Sequence, residues 1–191
     1  MKLSDSLKHL SPCQEAMTWL NYFSDPKKAW IECQRGDWML WLLGKLNQSS
    51  PWSNERKPLV ACCLDCAETI KHLWPEKKQK NIAEAVKTLR SWIGGEAAVI
   101  QAREARNQLH SAYAAAYAAA AAYAAYAYDA AAAAAYAADA DADAAANAAA
   151  YAAYAYAAYA ADADARQKKL AECADIVRQH FPDPPKVEEE V

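Results

Sequence analysis

The apolar positions of this chain fall into two regimes. Through residue 95 they are large side chains, with Trp19, Trp30, Trp38, Trp41, Trp52, Trp74 and Trp92 set among leucines. From Ser111 to Ala165 they are almost entirely alanine and tyrosine, punctuated by Asp129, Asp139, Asp141, Asp143, Asn147, Asp162 and Asp164. Burying a methyl group contributes about 0.8 kcal/mol, against roughly 1.5–3 kcal/mol for a leucine or phenylalanine, so the second regime can stabilise itself only through many close contacts. The large anchors of a core must come from the first.

Start and stop signals divide the first half into short helices. Ser11-Pro12 reads as an N-cap followed by proline at the first helical position and predicts a helix over Pro12–Tyr22; Asp25-Pro26 predicts Pro26–Cys33 in the same way. Gly36-Asp37 opens Trp38–Leu46, while Asn47–Lys57, with Pro51, serines and charges, reads as a loop. Pro58 begins a helix through His72 or Leu73, Pro75 begins another to Ile93, and Gly94-Gly95 separates this half from the rest.

From Glu96 to His180 there is no glycine or proline, and alanine has the highest helix propensity of any residue. Unbroken, such a helix would run beyond about 100 Å, so the segment must bend back or protrude. Asp139, Asp141, Asp143 and Asn147 mark the expected reversal, because Asp and Asn favour caps and turns over helix interiors. A hairpin turning there carries Arg103, Arg106, His110 and Tyr113 towards Tyr159, Arg166, Lys168 and Lys169. Tyr123-Ala-Ala-Tyr126-Ala-Tyr128 recurs as Tyr151-Ala-Ala-Tyr154-Ala-Tyr156, and Tyr136-Ala-Ala-Asp139-Ala-Asp141 as Tyr159-Ala-Ala-Asp162-Ala-Asp164. This pattern fits two related helices whose small residues allow close approach and whose tyrosines fill the gaps. At 100° per residue the tyrosines fall nearly all round the helix, so several of its sides face protein, in this chain or in the neighbours of a homo-oligomer. The expected fold class is all-α. A Trp-rich bundle of short helices over 1–95 packs with a long Ala/Tyr/Asp-rich helical hairpin over 96–182 as one compact unit, followed by a disordered acidic tail over 183–191.

Charge and termini narrow the classes of function. A net charge of −3 and a pI near 5.8 argue against a protein that coats nucleic acid. Met1-Lys2-Leu3-Ser4-Asp5 lacks the apolar core of a signal peptide, which points to a cytoplasm, where the six cysteines are expected as thiols. Ser111–Tyr128 and Ala144–Ala161 are uncharged and near membrane-spanning length, but they lack the Leu, Ile, Phe and Val that favour insertion, so no membrane partner is expected.

The candidate chemistry lies in the tract. Tyr126 and Asp129, Tyr136 and Asp139, and Tyr159 and Asp162 are each three apart and share a helix face. Either the phenols satisfy the carboxylates in a closed polar seam, or tyrosines stack on a planar ligand while aspartates accept from its hydroxyl or amino groups. Stacking on a base is worth about 1–3 kcal/mol. With the basic residues at the base of the hairpin neutralising a phosphate, the second reading gives a ligand-binding set of Arg103, Arg106, His110, Tyr113, Tyr117, Tyr156, Tyr159, Asp162, Arg166 and Lys169 for a nucleotide-like small molecule.

Other motifs carry less. Asp139, Asp141 and Asp143 have the alternation of a calcium loop, but Ala144 and Ala150 stand where glycine and a bidentate glutamate are needed. Cys62, Cys63 and Cys66 make half of a zinc set with no second half following, and read as small core residues. His9, His72, His110 and His180 are scattered without an adjacent nucleophile. No catalytic residue, metal site or cofactor is read. Arg35-Gly36-Asp37 matches an adhesion tripeptide by chance at a helix start, and the threonine face of alanine-rich antifreeze helices is missing.

Three stretches together carry a resemblance: Arg35-Gly-Asp-Trp-Met-Leu-Trp-Leu-Leu-Gly44, Ala85 to Glu96 with Trp92 before Gly94-Gly95, and Leu170-Ala-Glu-Cys-Ala-Asp-Ile-Val-Arg-Gln-His-Phe-Pro182. They resemble uncharacterised alanine-rich helical proteins of bacteria and their phages, some labelled immunity proteins. The resemblance implies a bacterial cytoplasm and a binding role in conflict between phage and host, and transfers no catalytic residue. The leading expectation is a non-enzymatic protein that neutralises bacterial defence, either by sequestering a nucleotide-derived signal or by blocking a toxin or effector protein. A hydrolase or lyase using His110 and an aspartate, and a structural or scaffold protein, remain alternatives.

Overall fold

The computed structural model describes residues 2–50, 52–69, 76–118 and 163–187. Among them every regular element is helical, so the fold is all-α, as the sequence predicts. Eight α-helices are described: α1 (Leu3–Leu7), α2 (Gln14–Leu20), α3 (Pro26–Glu32), α4 (Gly36–Leu46), α5 (Lys57–Glu68), α6 (Glu76–Gly94), α7 (Val99–Ala118) and α8 (Ala163–His180). The segment that would contain the expected reversal, with Asp139, Asp141, Asp143 and Asn147, lies outside the described residues.

Helix α5 is the hub. Leu59, Val60, Cys62, Cys63, Leu64, Cys66 and Ala67 are buried nearly all round it, which requires neighbours on several sides. Helix α6 supplies one, through Ile82, Ala85, Val86, Leu89 and Trp92, the i, i+3, i+4 spacing of a single buried stripe. Helix α8 supplies another, through Cys173, Ala174 and Val177, and α7 adds Ala102 and Ala105 to the same core. One continuous apolar core thus joins the first regime of the sequence to the segments that flank the alanine–tyrosine tract on either side. Helix α7 lies chiefly along α6, whereas α8 lies along α4 and α5.

The α4–α8 crossing is the tightest contact in this arrangement. A Cβ placed on Gly36 would stand 2.6 Å from Cys173 Cβ and 2.7 Å from both Ala174 N and Cys173 C. Glycine here is required by the approach of a neighbouring backbone. The end of α3 is fastened to the same helix: Arg178 Nη1 donates to the carbonyls of Trp30 and Cys33 at 3.2 and 2.8 Å, while Nη2 donates to Asp175 at 2.6 Å. The last carbonyls of a helix lack intrahelical partners, and a guanidinium fork from α8 satisfies them.

A second apolar cluster, of Leu3, Leu7, Leu20 and Ala29, seats α1 against α2 and α3. Helix α1 has no counterpart among the elements read from the sequence. It is held from outside itself, by Leu3 N donating to Phe23 O at 3.1 Å and Ser4 Oγ donating to Asn21 Oδ1 at 2.6 Å.

Several helix bounds meet the sequence reading and one fails. Asp25 caps α3, its carboxylate accepting from Lys27 N at 2.9 Å. The helix expected over Pro12–Tyr22 instead begins at Gln14, and Ser11 does not cap it. Ser11 adopts φ 57° and ψ 53°, ending the 3-10 turn Lys8–Leu10. An N-cap residue is extended, so the left-handed Ser11 is out of capping geometry, and the extended Cys13 stands at the N-cap of α2 instead, without a side-chain capping bond. The loop over 47–57 contains a 3-10 turn at Asn54–Arg56 and is held by the buried Arg56, whose Nε donates to Ser49 O at 2.9 Å. The tail expected to be disordered from 183 is placed against the body as far as Val187, with Asp183 paired to Lys27 Nζ at 2.9 Å.

Candidate functional site

The sequence places its ligand set on α7 and α8, and the structure describes part of it. Arg103 is exposed on α7, with its guanidinium 5.9 Å from the centroid of the Trp52 ring. Arg106, half-buried, donates from Nη1 to Asn107 Oδ1 at 3.1 Å. Lys169 on α8 pairs with Glu172 at 2.5 Å. His110, Tyr113 and Tyr117 lie on α7 and Arg166 on α8, but their side chains are outside the described ones. Tyr156, Tyr159 and Asp162 lie outside the described residues altogether. Of the expected set, therefore, three cations are placed, each engaged with a neighbour of its own.

A different site is built from the Trp-rich half. Helices α2, α3 and the start of α4, with the C-terminal segment, enclose a cleft of about 620 Å³, within the range of small-ligand sites. Its walls are mostly apolar: Trp19 from α2, Trp30 from α3 and Trp38 and Trp41 from α4, together with Pro184, Pro185 and Val187. The Trp19 ring lies 5.9 Å from that of Trp38 and 4.5 Å from Phe23, so the aromatic wall is braced by tilted ring contacts.

One polar cluster interrupts this wall. Arg35 donates from Nε and Nη2 to the two carboxylate oxygens of Asp37 at 2.8 and 2.6 Å, and from Nη1 to Glu15 Oε2 at 3.2 Å. Its Cζ also stands 4.2 Å above the Trp38 ring. Asp37 is buried, its side chain only 5% exposed, so its charge is sustained by the bidentate fork. Burial works against the Arg35 charge, yet hydrogen bonding and attraction from Asp37, then Glu15, hold its pKa above the ordinary value. Two carboxylates against one guanidinium leave this wall without a net cation for a phosphate.

Cys33 does not supply a nucleophile to the cleft. Cys33 donates to the Arg35 carbonyl at 3.6 Å, and burial pushes its pKa up to about 11. A thiol that stays protonated at neutral pH is neither a nucleophile nor a metal ligand. Cys13, also on the wall, is the exposed cysteine of the six. Cys62, Cys63, Cys66 and Cys173 are buried in the core as free thiols. Away from the cleft, His180 Nε2 lies 2.5 Å from Asp65 Oδ2, and Arg90 pairs with both Asp65 and Glu68. That network joins α5, α6 and α8 across the surface. Among the described residues no group of three or more His, Cys, Asp or Glu side chains is placed to hold a metal ion, and no helix is long and apolar enough to cross a membrane.

The sequence reading passed over the cleft residues although their signal was present. The adhesion-like tripeptide Arg35-Gly36-Asp37 turns inward: Arg35 and Asp37 pair with each other and Gly36 meets α8. Four tryptophans within residues 19–41 were legible only as core anchors, because the cleft they form needs the tail some 150 residues later to complete its lining. Comparison with protein-family models, with curated proteins and with solved structures finds no match to this chain. The geometry of the cleft stands by itself.

Proposed function

We propose that this protein is a non-enzymatic binding protein and that the tryptophan-lined cleft is where it binds. The observation that carries the reading is the combination of a preformed, largely apolar cavity of about 620 Å³ with a polar cluster already satisfied internally. Large rigid aromatics contribute contact area at small entropic cost, which is how binding surfaces obtain affinity. The Arg35 cluster is suited to fixing the shape of the wall, since its strongest donors are spent on Asp37.

Of the two mechanisms the sequence suggests, this cleft favours engagement of a protein partner, as in an immunity-type protein that blocks a toxin or effector. A phosphate-bearing signal could replace the largely exposed Glu15 at little cost, but to take the Arg35 fork it would have to displace the buried Asp37, which costs on the order of several kcal/mol. Sequestration of a nucleotide-derived signal rests on a set of which Arg103, Arg106 and Lys169 are placed, each engaged with a neighbour, while its tyrosines and Asp162 lie outside the described side chains.

The test uses Cys13 as a reporter. An environment-sensitive dye attached there sits on the cleft wall, and titration with the apolar probe 1-anilinonaphthalene-8-sulfonate should change its emission saturably. Tryptophan emission should be perturbed over the same concentration range. A dye insensitive to the probe at concentrations that perturb the tryptophans would place binding elsewhere and sink this assignment.

A further inference from the structure

The C-terminal wall of the cleft has a chemistry of its own. Phe181-Pro182-Asp183-Pro184-Pro185-Lys186-Val187 contains three prolines in seven residues. Pro184, Pro185 and Val187 line the cleft together with its tryptophans. The segment is fastened at both ends and near its middle. Trp30 Nε1 donates to the Phe181 carbonyl at 2.8 Å, Lys27 pairs with Asp183 at 2.9 Å, and Val187 packs on the Leu3, Leu7, Leu20 and Ala29 cluster.

Resting on the binding role proposed above, we infer that the ligand of the cleft is an extended, proline-rich peptide segment carrying a basic residue. The chain's own segment from Pro182 to Val187 is the resident that such a segment displaces. Three observations converge on this occupant. Proline offers a carbonyl acceptor and no N–H, so its partners are aromatic faces and side-chain donors. The cleft supplies tryptophan faces, and its Trp30 indole already donates to the Phe181 carbonyl, immediately before the resident segment. Strand addition, the other common way to hold an extended peptide, needs a free sheet edge, and there is no strand among the described residues. Charge agrees with the third feature: Glu15, largely exposed, and Asp37 outweigh Arg35 on the wall, which suits a lysine or arginine such as the Lys186 that follows Pro185. A polyproline helix is also extended before binding, so little ordering entropy opposes its capture.

Competition by a tethered segment has a predictable size. A short tether gives an effective concentration of about 1 mM. If the resident segment itself has roughly 100 µM intrinsic affinity, it weakens the apparent binding of a competing peptide about tenfold. The experiment uses full-length protein dye-labelled at Cys13 and two synthetic probes. One is Phe-Pro-Asp-Pro-Pro-Lys-Val; the other has its three prolines replaced by alanine. Each is titrated into the parent chain and into Asp183→Ala/Val187→Asp, which detaches the tail by removing its own ion-pair and apolar anchors while leaving Lys27 and the main core intact. The proline probe should bind the released variant about tenfold more tightly than the parent, and the alanine probe should bind at least about tenfold more weakly than the proline probe.

Equal affinity for the two probes, or no gain on tail release, overturns the inference. Because the first comparison changes only the peptide, it does not depend on the variant folding. If 1-anilinonaphthalene-8-sulfonate reports from the cleft but neither peptide binds, the inference fails and the binding role survives. Silence from all three probes defeats both.

Discussion

Replacing Gly36 by alanine should destabilise the protein through one identifiable collision. The new methyl would lie 2.6 Å from Cys173 Cβ and 2.7 Å from Ala174 N and Cys173 C. Carbon atoms in favourable contact are about 3.5–4.0 Å apart, so the overlap is close to an ångström. Two of the three atoms struck belong to the α8 backbone, where no rotamer change relieves them. Helix α8 must therefore shift as a body, disturbing Cys173, Ala174 and Val177 in the core. Overpacking of this kind costs about 1–3 kcal/mol, and the gain in helix propensity, at most about 1 kcal/mol, offsets only part of it. For a chain of this size each kcal/mol moves Tm by roughly 2–4 °C. Gly94→Ala is the control: a Cβ there meets nothing within 4 Å, so it should be neutral or slightly stabilising. The assay is urea and thermal unfolding followed by far-ultraviolet circular dichroism. A double variant with Cys173→Gly should recover part of the loss, since it removes one of the three struck atoms. If Gly36→Ala is as stable as the parent, the close α4–α8 crossing is refuted.

Three further outcomes are expected. Arg178→Lys should lower stability by about 1–3 kcal/mol, because an ammonium cannot reproduce the fork onto the Trp30 and Cys33 carbonyls and Asp175; urea titration with an unchanged slope would measure it, and a change below 0.5 kcal/mol, roughly the noise of a surface substitution, would refute the capping role. Stability should fall with alkaline pH. Burial pushes Cys33 up to about 11 and Cys63 to about 12 from an ordinary 9.0, so the unfolded chain loses these protons first; the stabilisation is complete below pH 9.0 and declines towards pH 11 and 12, at about 1.4 kcal/mol per pH unit for each thiol. Cys33→Ala should flatten that decline, and an identical slope in parent and variant would contradict the assignment. Finally, a disulfide reagent should titrate Cys13 rapidly in the native protein and the other five cysteines only on unfolding, read by absorbance of the released thiolate, with more than one fast thiol counting against the packing of the core.

The boundary between what was legible and what was not follows the range of the forces involved. Asp25-Pro26 could be read as a helix start because its whole mechanism, a carboxylate reaching a backbone N–H two residues on, lies within one turn. The stripe of Ile82, Ala85, Val86, Leu89 and Trp92 is likewise local, a periodicity that any apolar neighbour would satisfy. Ser11 departs from its expected capping role because it closes the preceding 3-10 turn in the left-handed conformation, its N–H donating to Lys8 O, and that turn belongs to an element the sequence pattern does not reveal. Helix α1 escaped notice because five residues cannot sustain a helix without partners, and its partners are Phe23, Asn21 and the cluster around Leu20.

By itself, then, the sequence determined that the described residues are helical, where helices α3 to α6 begin to within about two residues, and that tryptophan and leucine of the first half must anchor the core. Those properties are set by backbone propensity, capping and side-chain size, each acting over a few residues. Tertiary structure alone decided which helix lies on which, that Gly36 is the point where α8 crosses α4, and that the Arg35–Asp37 pair sits within a tryptophan-lined cleft that Pro184 and Pro185 also line. These depend on contacts between residues up to about 150 positions apart, whose energies arise only when the chain has already closed on itself.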